Sequence, residues 1–236
     1  MLQLIALILF SWLIIWLFEK GNLSILGLAP TKERLLYFSI LFIISGVCSA
    51  GTYILKIYIA EEEYMLSNSL NIQSVLLEIW YQFRTVLTEE LICRGVLLYI
   101  LIKKIGNTKA IVFTSVFFAV LHWLNSGVWG NIMQMIIVFL FTFAMGLLLA
   151  YSYSKTFSLL IPFAIHFGWN LIQNYIFPDT NTGNHIFVLA ATPPEVTISY
   201  ISFFTMLLLP KISVIVCNYI IIKKYMQVEM PKSNTK

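Results

Sequence analysis

Apolar residues run along this chain in seven long stretches, at about 2–18, 36–59, 78–102, 110–124, 132–152, 157–177 and 198–222. A helix that crosses a bilayer needs about 20 residues, within a range of roughly 17–25. The pattern predicts an all-α fold: a polytopic transmembrane helical bundle of about seven spans plus short interfacial helices. The fourth stretch, between Lys109 and Asn125, is short and reads as tilted inward or shielded by its neighbours. Residues 64–77 are mixed in character and read as an amphipathic lead-in lying along the interface. Residues 186–192, IFVLAAT, are too short to span and are expected on the outer surface or folded back. No repeat or low-complexity linker interrupts the pattern, so residues 1–236 read as one integral-membrane domain with its core at 78–177.

The polar residues between the stretches alternate in sign. Lys20, Lys32 and Arg34 follow the first, Lys103, Lys104 and Lys109 the third, Lys155 the fifth, and Lys223, Lys224, Lys232 and Lys236 the seventh. The other connections carry Glu61, Glu62 and Glu63, no charge at all (125–131), and Asp179 with Glu195. By the positive-inside rule the basic side is cytoplasmic, with the N-terminus outside and the C-terminus inside. The first stretch has no basic segment before it and no small-residue cleavage site after it. It reads as a retained helix.

Composition agrees. Of 236 residues, 59% are hydrophobic and 11% charged, against about 25% charged in soluble domains. The mean hydropathy is +0.86. A net charge of +4 with no basic stripe gives no reason to expect nucleic acid. Cys48, Cys93 and Cys217 lie in apolar stretches and read as small buried hydrophobes.

The exceptions inside the apolar stretches carry the chemistry. One charge at a bilayer centre costs about 2.5–3.5 kcal/mol on insertion scales. The run TVLTEELICRGVLLY nevertheless holds Glu89, Glu90 and Arg94. Glu90 and Arg94 are four apart and share a helix face, as an ion pair would. Glu89 points about 100° away from them. His122 ends FFAVLH, with Phe118 one turn before it as a candidate pocket residue. His166 and Asn170 sit four apart in HFGWN, with Pro162 one turn earlier, where it either kinks the helix or is tolerated near its end. Glu89 lies about 21 Å along its helix from Lys103, His122 about 20 Å from Lys109, and His166 and Asn170 about 14–20 Å from Phe157. Converging faces would place these groups in one polar chamber at a common depth. His185, Asp179 and Asn184 read as solvated loop residues, and Arg84 and Glu78 as interfacial.

A carboxylate and an imidazole can activate a water and later protonate a leaving amine. A second imidazole with a carboxamide can stabilise an oxyanion. Glu89, His122, His166 and Asn170 thus hold the parts for hydrolysing a peptide bond. Glu89, His122 and His166 would alternatively make a three-ligand zinc set, although HExxH is absent. Two other readings remain: a non-catalytic membrane immunity or interaction protein whose polar core serves stability, and a cation or proton pathway. The absence of repeat symmetry counts against the pathway.

At these residues the chain resembles the CPBP (CAAX protease and bacteriocin-processing, or Abi) intramembrane proteases, which include the type II CAAX prenyl endopeptidases. EELICR matches EExxxR, FAVLH matches FxxxH and HFGWN matches HxxxN, in order and on separate stretches. The resemblance implies that Glu89 and His122 activate water, that His166 and Asn170 form the oxyanion site, and that Glu90 and Arg94 support them. It implies a membrane-associated peptide or protein as substrate, with no cofactor required on a glutamate-dependent mechanism and a divalent metal such as zinc as the alternative. Relatives that cut prenylated tails and relatives linked to bacteriocin immunity carry the same motifs. Oligomeric state and substrate are not legible in the residues.

Overall fold

The computed structural model describes residues 2–177 and 185–225. Asp179, Asn184, Lys232 and Lys236 lie outside them. In chain order the elements are α1 (Leu2–Glu19), α2 (Lys32–Ile59), β1 (Tyr64–Leu66), α3 (Ile72–Glu90), α4 (Leu98–Ile105), α5 (Asn107–Leu121), α6 (Ile132–Thr156), α7 (Leu160–Leu171), β2 (Phe187–Leu189) and α8 (Tyr200–Tyr225). A π-helical segment, Leu91–Leu97, joins α3 to α4, and another, Ile172–Ile176, follows α7. All seven apolar stretches are therefore helical. Among the described residues, four helical segments are long and apolar enough to cross a membrane: Lys32–Ile59, Asn107–Leu124, Ile132–Thr156 and Tyr200–Lys224. Leu4–Glu19 is apolar but shorter. The third stretch is split by its π segment, and the sixth holds a helix of only 12 residues.

The purely helical expectation needs one correction. β1 and β2 form an antiparallel pair in the register Tyr64↔Leu189, Met65↔Val188, Leu66↔Phe187. Main-chain bonds from Ser67 N to Ile186 O (2.9 Å) and from Ala190 N to Glu63 O (2.8 Å) extend it. Part of residues 64–77 and part of 186–192 thus satisfy each other's backbone groups.

The chain divides into two compact units, one of residues 1–38, 87–164 and 219–236, the other of residues 39–86 and 165–218. In the first, α1, the Leu91–Leu97 segment, α4 and α5 pack in sequence, and α5 packs on α6. Its core gathers Leu4, Ile15, Leu26, Leu91, Leu98, Tyr99, Tyr153 and Leu159, among others. Gly27 adopts φ +67, and a Cβ there would lie 2.0 Å from the Phe157 carbonyl oxygen, so only glycine fits this junction. Leu159 N donates to Leu26 O at 2.9 Å and Ser158 Oγ to Gly27 O at 2.8 Å, locking the same joint. Arg34 adds bonds from Nη1 to Gly27 O (3.3 Å) and Ala29 O (3.1 Å).

In the second unit α2 meets the later part of α7. A Cβ on Gly168 would fall 2.4 Å from Phe42 O, so the two backbones touch. Small residues allow such approach between membrane helices. Phe42 packs on Phe167 with ring centroids 5.6 Å apart, and Ser49 Oγ donates to Trp169 O at 3.0 Å. Asn218 Nδ2 on α8 reaches Ser45 Oγ at 3.1 Å. Phe177 stacks on both Tyr53 and Phe187, each with centroids 4.7 Å apart, anchoring β2. Pro162 is the third residue of α7, in the first turn, where its missing N–H breaks no helical bond. Cys93 is buried and Cys48 partly so, but Cys217 is exposed, on an outward face of α8.

Candidate active site

Glu89 and Glu90 are the last two residues of α3. The chain then leaves α-geometry through the π segment, where Gly95 has φ −73 and ψ −117. A π turn is wider than an α turn and re-aims the side chains that follow, and such turns concentrate at functional sites. Arg94 Nη1 donates to Glu90 Oε1 at 2.9 Å, both side chains being fully buried. Glu89 is only partly buried.

Arg94 also lies over the Phe118 ring, with its guanidinium carbon 3.9 Å from the centroid. A desolvated cation–π contact of this kind is worth about 2 kcal/mol or more. Phe118 meets the His122 imidazole edge-on, centroids 4.4 Å apart at 66°. The sequence marks Phe118 as a pocket residue. In the structure Phe118 is 2% exposed and contacts both Arg94 and His122. His122 caps the C-terminal end of α5, and its Nδ1 lies 2.8 Å from Phe118 O. A carbonyl only accepts, so His122 Nδ1 carries a hydrogen in this bond. Glu90, Arg94, Phe118 and His122 therefore form one continuous chain of contacts within the first unit.

His166 and Asn170 belong to the second unit. His166 is 4% exposed and Asn170 is half-buried. Asn170 Nδ2 donates to His166 Nε2 at 3.1 Å. That bond assigns the His166 hydrogen to Nδ1 and keeps the second amide hydrogen of Asn170 for another acceptor. The Asn170 carboxamide thus offers an N–H group of the kind an oxyanion site uses. Among the described residues of either unit, no three His, Cys, Asp or Glu side chains are gathered to hold a metal ion.

Sequence reasoning passes over several other polar residues in the apolar stretches. Lys211 lies in the middle of α8, just after Pro210, and its Nζ donates to Leu207 O at 3.1 Å. Gln173, in the π turn after α7, accepts from Tyr53 OH at 3.3 Å and donates to Thr52 Oγ1 at 3.3 Å. Asn174 donates to the buried Gln82 of α3 at 3.3 Å. The i, i+4 spacing of Asn174 from Asn170 was the available signal. Arg84 stacks on Tyr81 of its own helix, 5.5 Å from the ring centroid.

Residues 71–172 match the family described as type II CAAX prenyl endopeptidase Rce1-like. No curated protein and no solved structure matches the chain. The matched segment is under half of the chain, yet it runs from the start of α3 to the end of α7 and contains every residue of the candidate site.

Proposed function

We propose that this chain, whose residues 71–172 form an Rce1-like domain of the CAAX protease family, is an intramembrane endopeptidase. Its substrate is a membrane-associated peptide or protein, and a C-terminal CAAX-type segment is the first to test. The observation that carries the reading is the contact chain Glu90–Arg94–Phe118–His122, which leads from the residue beside Glu89 to an imidazole held by its Nδ1 on a main-chain carbonyl.

On this reading Glu89 takes a proton from a water that His122 helps to hold, and the water oxygen attacks the scissile carbonyl carbon. The carbonyl oxygen becomes an oxyanion, stabilised by N–H groups of Asn170 and His166. As the tetrahedral species collapses, the C–N bond breaks and Glu89 passes its proton to the leaving nitrogen. Glu90 and Arg94 hold the helix end in place by mutual neutralisation. These steps need no metal. A carboxamide at position 170 suits an oxyanion donor better than a zinc ligand, and chelator treatment is expected to leave cleavage intact.

The protein is read as a multi-pass membrane protein of seven spans with its N-terminus outside and its C-terminus cytoplasmic. Alternating basic loops support this. Reporter fusions at Lys104 and after Lys224 should both signal the cytoplasm, and a fusion at Glu62 the outside.

The deciding experiment is cleavage of a farnesylated CAAX-ended peptide, and of an unprenylated control, by the purified chain in nanodiscs. Activity should vanish in Glu89→Gln and His122→Ala variants that remain folded. Full activity of folded Glu89→Gln would refute the mechanism.

A further inference from the structure

We propose that Gln82 and Asn174 form a carboxamide pair that binds the main chain of an extended peptide substrate, about three residues from the scissile bond. The proposal rests on the peptidase reading.

Asn174 is exposed and Gln82, behind it, is 5% exposed. Asn174 Nδ2 donates to Gln82 Oε1 at 3.3 Å, and among the described residues neither side chain makes another hydrogen bond. Two facing carboxamides can close two reciprocal N–H···O bonds. Here one is made. The Gln82 amide N–H groups and Asn174 Oδ1 remain, one donor group beside one acceptor. That is the complement of a peptide's C=O and N–H. Gln173, the neighbour of Asn174, is different: its carbonyl and its amide both have partners in Tyr53 and Thr52, which suits a structural role.

Spacing along the helices places this pair. Gln82 precedes Glu89 by seven residues of α3, which is two turns and about 10 Å, on nearly the same face. Asn174 follows Asn170 by four and His166 by eight. The π turn Ile172–Ile176 is wider than an α turn, which reduces the drift of residue 174 away from their face. An extended strand advances about 3.3 Å per residue, so 10 Å is about three residues of substrate. Carboxamides stay neutral at all pH values and contact main chain rather than side chains. The pair would therefore fix substrate register without selecting its sequence.

The test uses the full chain in nanodiscs and a fluorescein-labelled, farnesylated CAAX-ended peptide, prepared as a series with each backbone N–H methylated in turn. Binding is measured in the Glu89→Gln protein and cleavage in the wild type. One methylated position, about three residues from the cleaved bond, should weaken binding about tenfold and raise KM with kcat unchanged. In Asn174→Leu the unmethylated peptide should bind at that weaker level and the penalty at that position should disappear. Gln82→Met, which keeps the volume, should weaken binding likewise. Should Gln82→Met not fold, the exposed Asn174→Leu carries the test. A uniform response to methylation, or a penalty that survives in Asn174→Leu, overturns the pair. Position-specific binding without any cleavage refutes the peptidase reading and leaves the pair standing. Cleavage without the penalty does the reverse, and absence of both binding and cleavage overturns both.

Discussion

The Arg94 guanidinium lies 3.9 Å from the centre of the Phe118 ring, and the same ring meets His122 on the following turn of α5. A buried cation therefore reaches the imidazole through an aromatic ring. Phe118→Leu removes the π-face and leaves a cavity, and should destabilise the protein by about 2–4 kcal/mol. Phe118→Tyr keeps the face and should cost less. Thermal unfolding in detergent checks the order, and equal losses for the two would deny the stacking a role.

Arg94 and Glu90 are both fully buried, so deleting one leaves the other's charge without its counterion. Arg94→Met alone should cost about 3–5 kcal/mol, whereas Glu90→Gln combined with Arg94→Met should recover much of the loss. A double variant as unstable as Arg94→Met would argue against charge compensation.

Gly168 touches the Phe42 carbonyl, and a Cβ there would sit at 2.4 Å from backbone that cannot swing aside. Gly168→Ala should cost about 1–3 kcal/mol and should displace the neighbouring Phe167 and Trp169. A methyl group on Gly51 of α2 would meet nothing within 4 Å, so Gly51→Ala is the neutral control. Unfolding temperatures of the pair provide the comparison.

Asn170 keeps one amide hydrogen beyond its bond to His166. If that hydrogen meets the oxyanion, Asn170→Ala should lower kcat about 10²–10³-fold with little change in KM. A change confined to KM would assign Asn170 to substrate binding instead.

Outside the membrane stretches, Lys103 at the end of α4 bonds to Glu19 at the end of α1, and that bond raises the lysine pKa. A raised folded-state pKa gives stability that is fully present below the ordinary value of about 10.5 and is lost as pH rises through the folded value. Stability should therefore hold to about pH 10 and fall above it. Lys103→Met should remove this alkaline step and cost at most about 1 kcal/mol at neutral pH, since the pair is partly solvated. An alkaline step unchanged in Lys103→Met would trace it to other groups.

Much of this architecture was legible in the order of residues. A long apolar run in a low-charge chain has few ways to satisfy its backbone except as helix, and all seven runs are helical. The i, i+4 spacing of Glu90 with Arg94 and of His166 with Asn170 is local, so helix geometry alone brings each pair within bonding distance. Local spacing did not reveal the π segments, because they last only seven and five residues, too few to shift a hydrophobic period. Nor did it reveal the β pair, whose strands are far apart in the chain, with Leu66 meeting Phe187. The sequence by itself determined which residues lie in helices, which charges are out of place there, and which of them can pair along one helix. Only the tertiary structure decided that Phe118 is a bridge between Arg94 and His122, that Gly168 is a backbone contact, and that Gln82 faces Asn174. Each of those depends on which face one helix turns toward another, and packing of whole elements sets that orientation.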